Sequence, residues 1–330
     1  MKFAKKHMAV SAILILSLIV TACSFPGKKE NPEASPEVTE TPSPYEEDAG
    51  SNLGLWARAM GSILMYMNEG NVYYFGGYEI NEYNTDAAKK ILEQSWSIKN
   101  RKHLLKQIKS LIKGQQHTEY LEVAKEVNSY TAKELEQILS QLPETTRLYY
   151  SLVQYNWEKW QKNGVLAWDL CRVSHLVQWG FLAGYITIDE AQALIEPAAR
   201  KLQKKFTSWE EVQMNWLDGY AWWAEINMDE ADNEYLNRKA IYEEIVANQE
   251  TEGLLYDDSL FEKEIVPLEG ISYKDLFAEV KSQKSKAATG SALGNATGSA
   301  IKNKKSKKAT GSSVTTSEDG EEAADMEGNE

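Results

Sequence analysis

Between residues 164 and 180 the chain places Trp168, Asp169, Arg172, His175 and Trp179 at helical spacing. On a helix turning about 100° per residue, Trp168, Arg172, His175 and Trp179 fall within about 60° of one another. Leu166, Leu170, Val173 and Val177 fall on the opposite side, and Asp169 lies between the two faces. A solvated face does not carry two tryptophans. Two readings follow. Either the helix is buried on both sides, with Arg172 stacked on the indoles and paired with Asp169 or another acid, or the stripe lines a groove that binds something. A His175–Asp169 acid–base pair is disfavoured, because residues six apart point about 120° from each other on one helix.

Other chemistry is sparser. Asp189, Glu190, Glu210, Glu211, Asp218 and Glu225 are numerous carboxylates, but they sit mostly at expected helix starts and turns, where they favour the helix dipole. Glycosidase-type hydrolysis needs two carboxylates at a set separation, and the spacing selects no pair. The histidines His7, His103, His117 and His175 show no metal-ligand spacing, and no glycine-rich phosphate loop occurs. No cofactor and no metal are therefore expected. Eight of the ten tryptophans lie between residues 157 and 223, and aromatic platforms of this kind either bind sugars or pack a core.

A second chemical signal lies at Val20-Thr21-Ala22-Cys23. Lys2, Lys5, Lys6 and His7 precede an uncharged, mostly apolar run from Ala9 to Ala22, which is too short for the roughly 20 residues of a membrane span. Small residues before a cysteine suit a peptidase cleft, and the thiol can form a thioether with diacylglycerol. The segment resembles the lipobox of bacterial lipoproteins. Residues 1–22 are accordingly expected to be a signal peptide and Cys23 the lipidation site, which leaves Cys171 alone as a small buried hydrophobe. Residues 23–51 carry five of the eight prolines together with glutamates and serines, the composition of an extended tether.

The elements that position the central stripe are expected to be helices. Residues 52–69 carry Leu55, Ala59, Ile63 and Met67 at helical spacing. Val72 to Ile80, with Gly76-Gly77 between β-prone residues, is read as a small hairpin. Thr131 with Glu134, Thr187 with Glu190 and Ser208 with Glu211 have the spacing of capping boxes. The central helix is expected to end at Gly180, and Pro197 to kink or break the next one. Short connections then give an all-α, antiparallel multi-helix bundle: an N-terminal helical region over 52–143 and a helical core over 144–280. In 281–330 an Ala-Thr-Gly-Ser motif recurs at 288, 296 and 309, eight lysines precede residue 318, and seven acids follow. This is the composition of a disordered tail.

Gly164-Val165-Leu166-Ala167-Trp168-Asp169-Leu170, Arg172, Leu176, Trp179-Gly180, Ala183-Gly184-Tyr185-Ile186 and Glu190-Ala191 resemble the bacterial domain of unknown function 1266, as do Ser208-Trp209-Glu210-Glu211, Gly219, Trp222 and Trp223. Upstream, Trp96-Ser97-Ile98 and Leu111 to Gly114 resemble its N-terminal part. The resemblance covers roughly residues 90–226. It implies a helical domain and brings no catalytic residues with it. Asp169, Arg172, Trp179 and Tyr185 match its polar and aromatic positions, whereas His175 and Gln178 depart from the Asn or Arg expected there.

The net charge of −13 gives no electrostatic reason to bind nucleic acid. The expectation is a lipid-anchored, extracytoplasmic binding or interaction module of the cell envelope. Its partners would be the membrane, through lipid on Cys23, and an envelope glycan or protein. Its candidate surface is Trp168, Asp169, Arg172, Trp179, Tyr185 and Asp218. The alternative is an envelope hydrolase using carboxylates near Asp169 and Asp218.

Overall fold

Buried small residues and Trp56 draw the first helix into the centre of the molecule, and everything else is arranged around the helix it crosses. A computed structural model describes residues 50–252 and 255–280. The expected leader, Cys23, the tether up to residue 49 and the tail from 281 lie outside the described residues. The helices are α1 (Leu53–Met67), α2 (Glu82–Trp96), α3 (Arg101–Lys113), α4 (Gln115–Val127), α5 (Ala132–Leu139), α6 (Glu144–Trp160), α7 (Leu166–Leu182), α8 (Ile188–Lys205), α9 (Trp209–Ala224), α10 (Glu234–Glu252) and α11 (Asp258–Glu262). A further helical run occupies 273–280. The fold is an all-α, multi-helix one.

Helix α7 is the hub. All 17 of its residues are buried, and α1, α2, α3, α4, α8 and α9 pack directly on it. Glycines make these approaches close enough. A Cβ on Gly61 of α1 would lie 2.6 Å from Ser174 Oγ, and one on Gly219 of α9 would lie 2.6 Å from the Cβ of Trp168. Gly180 does the same work from within α7: a Cβ there would collide with Leu104 of α3. Gly180 therefore does not end the helix, contrary to the sequence expectation. The stop comes at Gly184, φ 71°, where Tyr185 N–H donates to Gly180 O and Gly184 N–H to Phe181 O, both at 2.9 Å. This is a Schellman closure.

The capping expectations are met at Thr131–Glu134 and Thr187–Glu190, each with both reciprocal bonds. Ser208 Oγ accepts from Glu211 N–H, but the Glu211 carboxylate accepts from Thr207 N–H at 2.7 Å rather than from residue 208. Helix α8 continues through Pro197 to Lys205, so the expected break does not occur. On α1 the inward ridge is Leu53, Trp56, Ala57, Met60 and Ile63, and Leu55 is 41% exposed rather than on the core face.

The hairpin expected at 72–80 does not form, and among the described residues there is no strand. Residues 71–77 instead fold as successive turns, with Tyr74 N–H donating to Asn71 O and Gly77 N–H to Tyr74 O. Gly76 and Gly77 take φ of 86° and 76° for a different reason than a hairpin reversal. They let the loop lie against α1 and α7, where Gly76 N–H donates to the buried Gln178 Oε1 at 3.0 Å and Phe75 packs edge-on to Phe181. At the start of the described chain, Ser51 Oγ donates to Val266 O at 2.7 Å. The Asn52 amide grips residues 264–266 by donating to Glu264 O at 3.0 Å and accepting from Val266 N–H at 2.9 Å.

Candidate functional site

The α7 stripe is closed over by three neighbours rather than open to solvent. Trp168 meets Trp216 and Tyr220 of α9 at ring-centroid distances of 5.8 and 5.7 Å, and Trp223 at 5.4 Å. Arg172 lies over the Trp168 ring at 4.4 Å and beneath the half-buried Trp96 of α2 at 5.7 Å. His175 sits against Trp179 at 5.9 Å and edge-on to Trp216 at 6.2 Å. Of the two readings of this stripe, the doubly buried one describes the structure, and Arg172 stacks on the indole and pairs with Asp169 as that reading expects.

Asp169 is a positioning carboxylate. Its Oδ2 accepts the backbone N–H of His117 at 2.9 Å, in the first turn of α4, where a helix dipole favours negative charge. Its Oδ1 accepts from Arg172 Nη2 at 2.6 Å, and Arg172 Nε donates to Trp168 O at 2.9 Å. Burial pushes the Asp169 carboxyl up and the Arg172 guanidinium down, and each is held back by its partner. Nearby Glu119 is also raised, first by burial and then by the Asp169 charge.

Asp218, fully buried on α9, has a different cage. Its Oδ2 accepts from Trp160 Nε1 at 2.7 Å and from Lys159 Nζ at 2.8 Å, and its Oδ1 lies 3.2 Å from Tyr235 OH and 3.4 Å from Tyr155 OH. Burial lowers Lys159, but the hydrogen bond and charge of Asp218 more than restore it, leaving the ammonium above its ordinary value. Each carboxylate has its own set of donors, and the two tie different helices together: Asp169 links α7 to α4, and Asp218 links α9 to α6 and α10.

Tyr185 is placed elsewhere, in the elbow between α7 and α8. There it lines a cavity of about 410 Å³ with Ile80, Thr85, Phe181, Ile186 and Glu190. Arg101 braces this corner with a bidentate pair to Glu190 at 2.6 and 2.7 Å.

Residues 91–252 match the family model described as "Protein of unknown function (DUF1266)". Over this segment, just under half of the chain, the protein is similar to the DUF1266 family. No curated protein and no solved structure matches the chain. The DUF1266 segment extends beyond the sequence resemblance to include α10, which supplies the residue that sequence reasoning missed: Arg238. Its guanidinium carbon lies 3.9 Å over Tyr220 and 5.9 Å from Trp216, the two rings that adjoin the Trp168 on which Arg172 stacks. Both arginines are 9% exposed, and both push His175 down from its ordinary value, after burial, to about 3. His175 is therefore neutral near pH 7.

Trp216 and Tyr220 could have been found from the three-and-four spacing of α9. Arg238 had no such signal, being one charged residue on a strongly charged helix. Cys171 is free and fully buried, with its thiol pushed up by burial, as a packing residue would be. Among the described residues no group of three His, Cys, Asp or Glu side chains is placed to hold a metal ion, and no helix is long and apolar enough to cross a membrane.

Proposed function

We propose that this protein is a lipid-anchored extracytoplasmic binding module, with the DUF1266-like segment presenting the two half-buried ends of the aromatic–arginine row, Trp96 on α2 and Trp223 on α9, to an envelope glycan or protein. The observation that carries the binding role is the continuous row Trp96–Arg172–Trp168–Trp223, which begins and ends on half-buried indoles and so reaches the surface at both ends. Flat apolar faces alternating with guanidinium suit a ligand that stacks and accepts hydrogen bonds. The hydrolase alternative has less support, because Asp169 and Asp218 are each occupied by donors from the fold itself.

The anchor rests on the lipobox-like sequence. Metabolic labelling with a fatty acid is expected to mark the full chain and not Cys23→Ala, which should leave the membrane fraction. Equal labelling of the two would remove the anchor. For the wall, adding Trp96→Ala and Trp223→Ala, both half-buried positions, to the Cys23→Ala chain should lower its residual retention on isolated envelopes below that of Cys23→Ala alone. Undiminished retention would remove the wall as the recognition surface.

A further inference from the structure

Trp216 is the centre of an unusual concentration of unsatisfied nitrogen. Its own Nε1 has no hydrogen-bond partner among the described residues, and the same holds for Trp168 Nε1, His175 Nδ1 and Arg238 Nε. All four side chains are at least nine-tenths buried, and Trp168, His175 and Arg238 each lie within 6.2 Å of the Trp216 ring. A buried donor or acceptor left unpaired costs about 1–3 kcal/mol, so four such nitrogens grouped at one indole are not explained by packing alone.

Arg238 defines which ligand this group would take. The same Nε–Nη2 edge that Arg172 uses on Trp168 O and Asp169 is open on Arg238. Its Nη1 donates to Met67 Sδ at 3.1 Å, its Nε is unpaired, and its Nη2 faces Glu234 Oε2 only at 3.7 Å, beyond hydrogen-bond range. Glu234, itself 56% exposed, is turned toward that edge without closing it, and so competes with a ligand for it. The guanidinium plane is held by Tyr220, so the fork is preorganised. Two parallel N–H donors on a guanidinium edge match the two oxygens of a carboxylate.

We propose that the Nε–Nη2 fork of Arg238, set among Trp216, Trp168, Tyr220 and His175, is the anchoring point of a ligand site for a small carboxylate between α7, α9 and α10. The carboxylate accepts from the fork, and indole N–H groups supply donors to its remaining oxygen lone pairs or to a hydroxyl beside it. Arg172, Tyr220 and Arg238 each touch solvent at 9% exposure, and the site would be entered at this edge by movement of their side chains. The site deepens the binding-module reading by naming the chemistry recognised, and it does not depend on the anchor.

The test uses the full chain carrying Cys23→Ala, with benzoate, glucuronate, acetate and inorganic phosphate as probes in saturation-transfer NMR and calorimetry. Benzoate or glucuronate is expected to bind with a Kd of about 1 mM or tighter, with acetate weaker. A preference for benzoate identifies a free planar acid, and a preference for glucuronate identifies an acidic sugar. Arg238→Gln should weaken binding at least about tenfold, and Arg238→Lys should do nearly the same because it loses the fork. Glu234→Gln, which removes the competing carboxylate, should strengthen binding severalfold. Trp216→Phe keeps the ring, loses the N–H, and should weaken binding severalfold. Thermal unfolding of each variant checks its fold, and Glu234→Gln, an exposed change, keeps the test decisive if Arg238 variants do not fold. The proposal is overturned by no carboxylate binding up to about 10 mM, by phosphate binding without carboxylate binding, or by unchanged affinity in Arg238→Gln or Glu234→Gln. Carboxylate binding that survives alongside failed envelope retention would leave this site standing and remove only the broader role.

Discussion

Arg172 and Arg238 are equally buried, press on adjoining rings and both lower one histidine, yet they are held in opposite ways. Arg172 has every constraint a buried cation needs: a carboxylate at 2.6 Å, a backbone carbonyl at 2.9 Å and an indole face. Arg238 has a ring, a thioether and a distant, solvated glutamate. Equal burial with unequal partnering separates a strut from a hand. The first guanidinium holds α7 to the start of α4 through Asp169, and the second is fixed in place without being used up.

The contrast can be broken most directly at Asp169. Asp169→Ala leaves a buried guanidinium unpaired and the first turn of α4 without its anion, and is expected to cost about 3–5 kcal/mol in denaturant unfolding. A loss below about 1 kcal/mol would show that Arg172 is no strut.

Acid sharpens the comparison at the histidine that both cations lower. His175 is held down at about 3, against 6.5 when unfolded, so the unfolded chain binds the extra proton between those values. Stability is therefore full above pH 6.5 and falls as pH drops toward 3, by about 2–3 kcal/mol at pH 4.5 for one such group. His117, lowered to about 4 by burial and then by Lys201 and Lys205, adds to the same window. His175→Phe should flatten the profile by its own share, leaving that of His117. An unchanged slope in unfolding measured from pH 7 to 4.5 would mean that burial and the two cations do not hold this ring neutral.

The smallest effect is expected at Arg238 itself. Arg238→Gln breaks no buried ion pair and should change unfolding free energy by about 1 kcal/mol or less, the size of a cation–π contact. A cost equal to that of Asp169→Ala would make both arginines struts and dissolve the distinction.

The helical fold was legible because apolar spacing and capping residues act locally: Thr131–Glu134 and Thr187–Glu190 form as their spacing predicts. What was not legible depended on partners distant in sequence. Gly180 reads as a stop, but its missing side chain serves Leu104 on α3, and the stop is made four residues later. Gly76-Gly77 reads as a hairpin turn, but its flexibility serves a loop lying on α7 and bonded to Gln178. The stripe on α7 and its Arg172–Asp169 pair were visible because they lie on one helix at i, i+3. Asp218 could be named, but not its cage of Tyr155, Lys159, Trp160 and Tyr235, which comes from two other helices. Arg238 was invisible because the rings that receive it are on α9 and nothing in its own helix marks it.

The grip of Asn52 on residues 264 and 266 has a mechanical consequence. Tension applied to the backbone at residue 50 meets three transverse fastenings, through Ser51 and Asn52, before it reaches the first turn of α1. Load is thereby shared with a segment more than 200 residues away in sequence, which is itself bolted to α8 by Gln203 and Arg200. The domain resists being peeled open from residue 50.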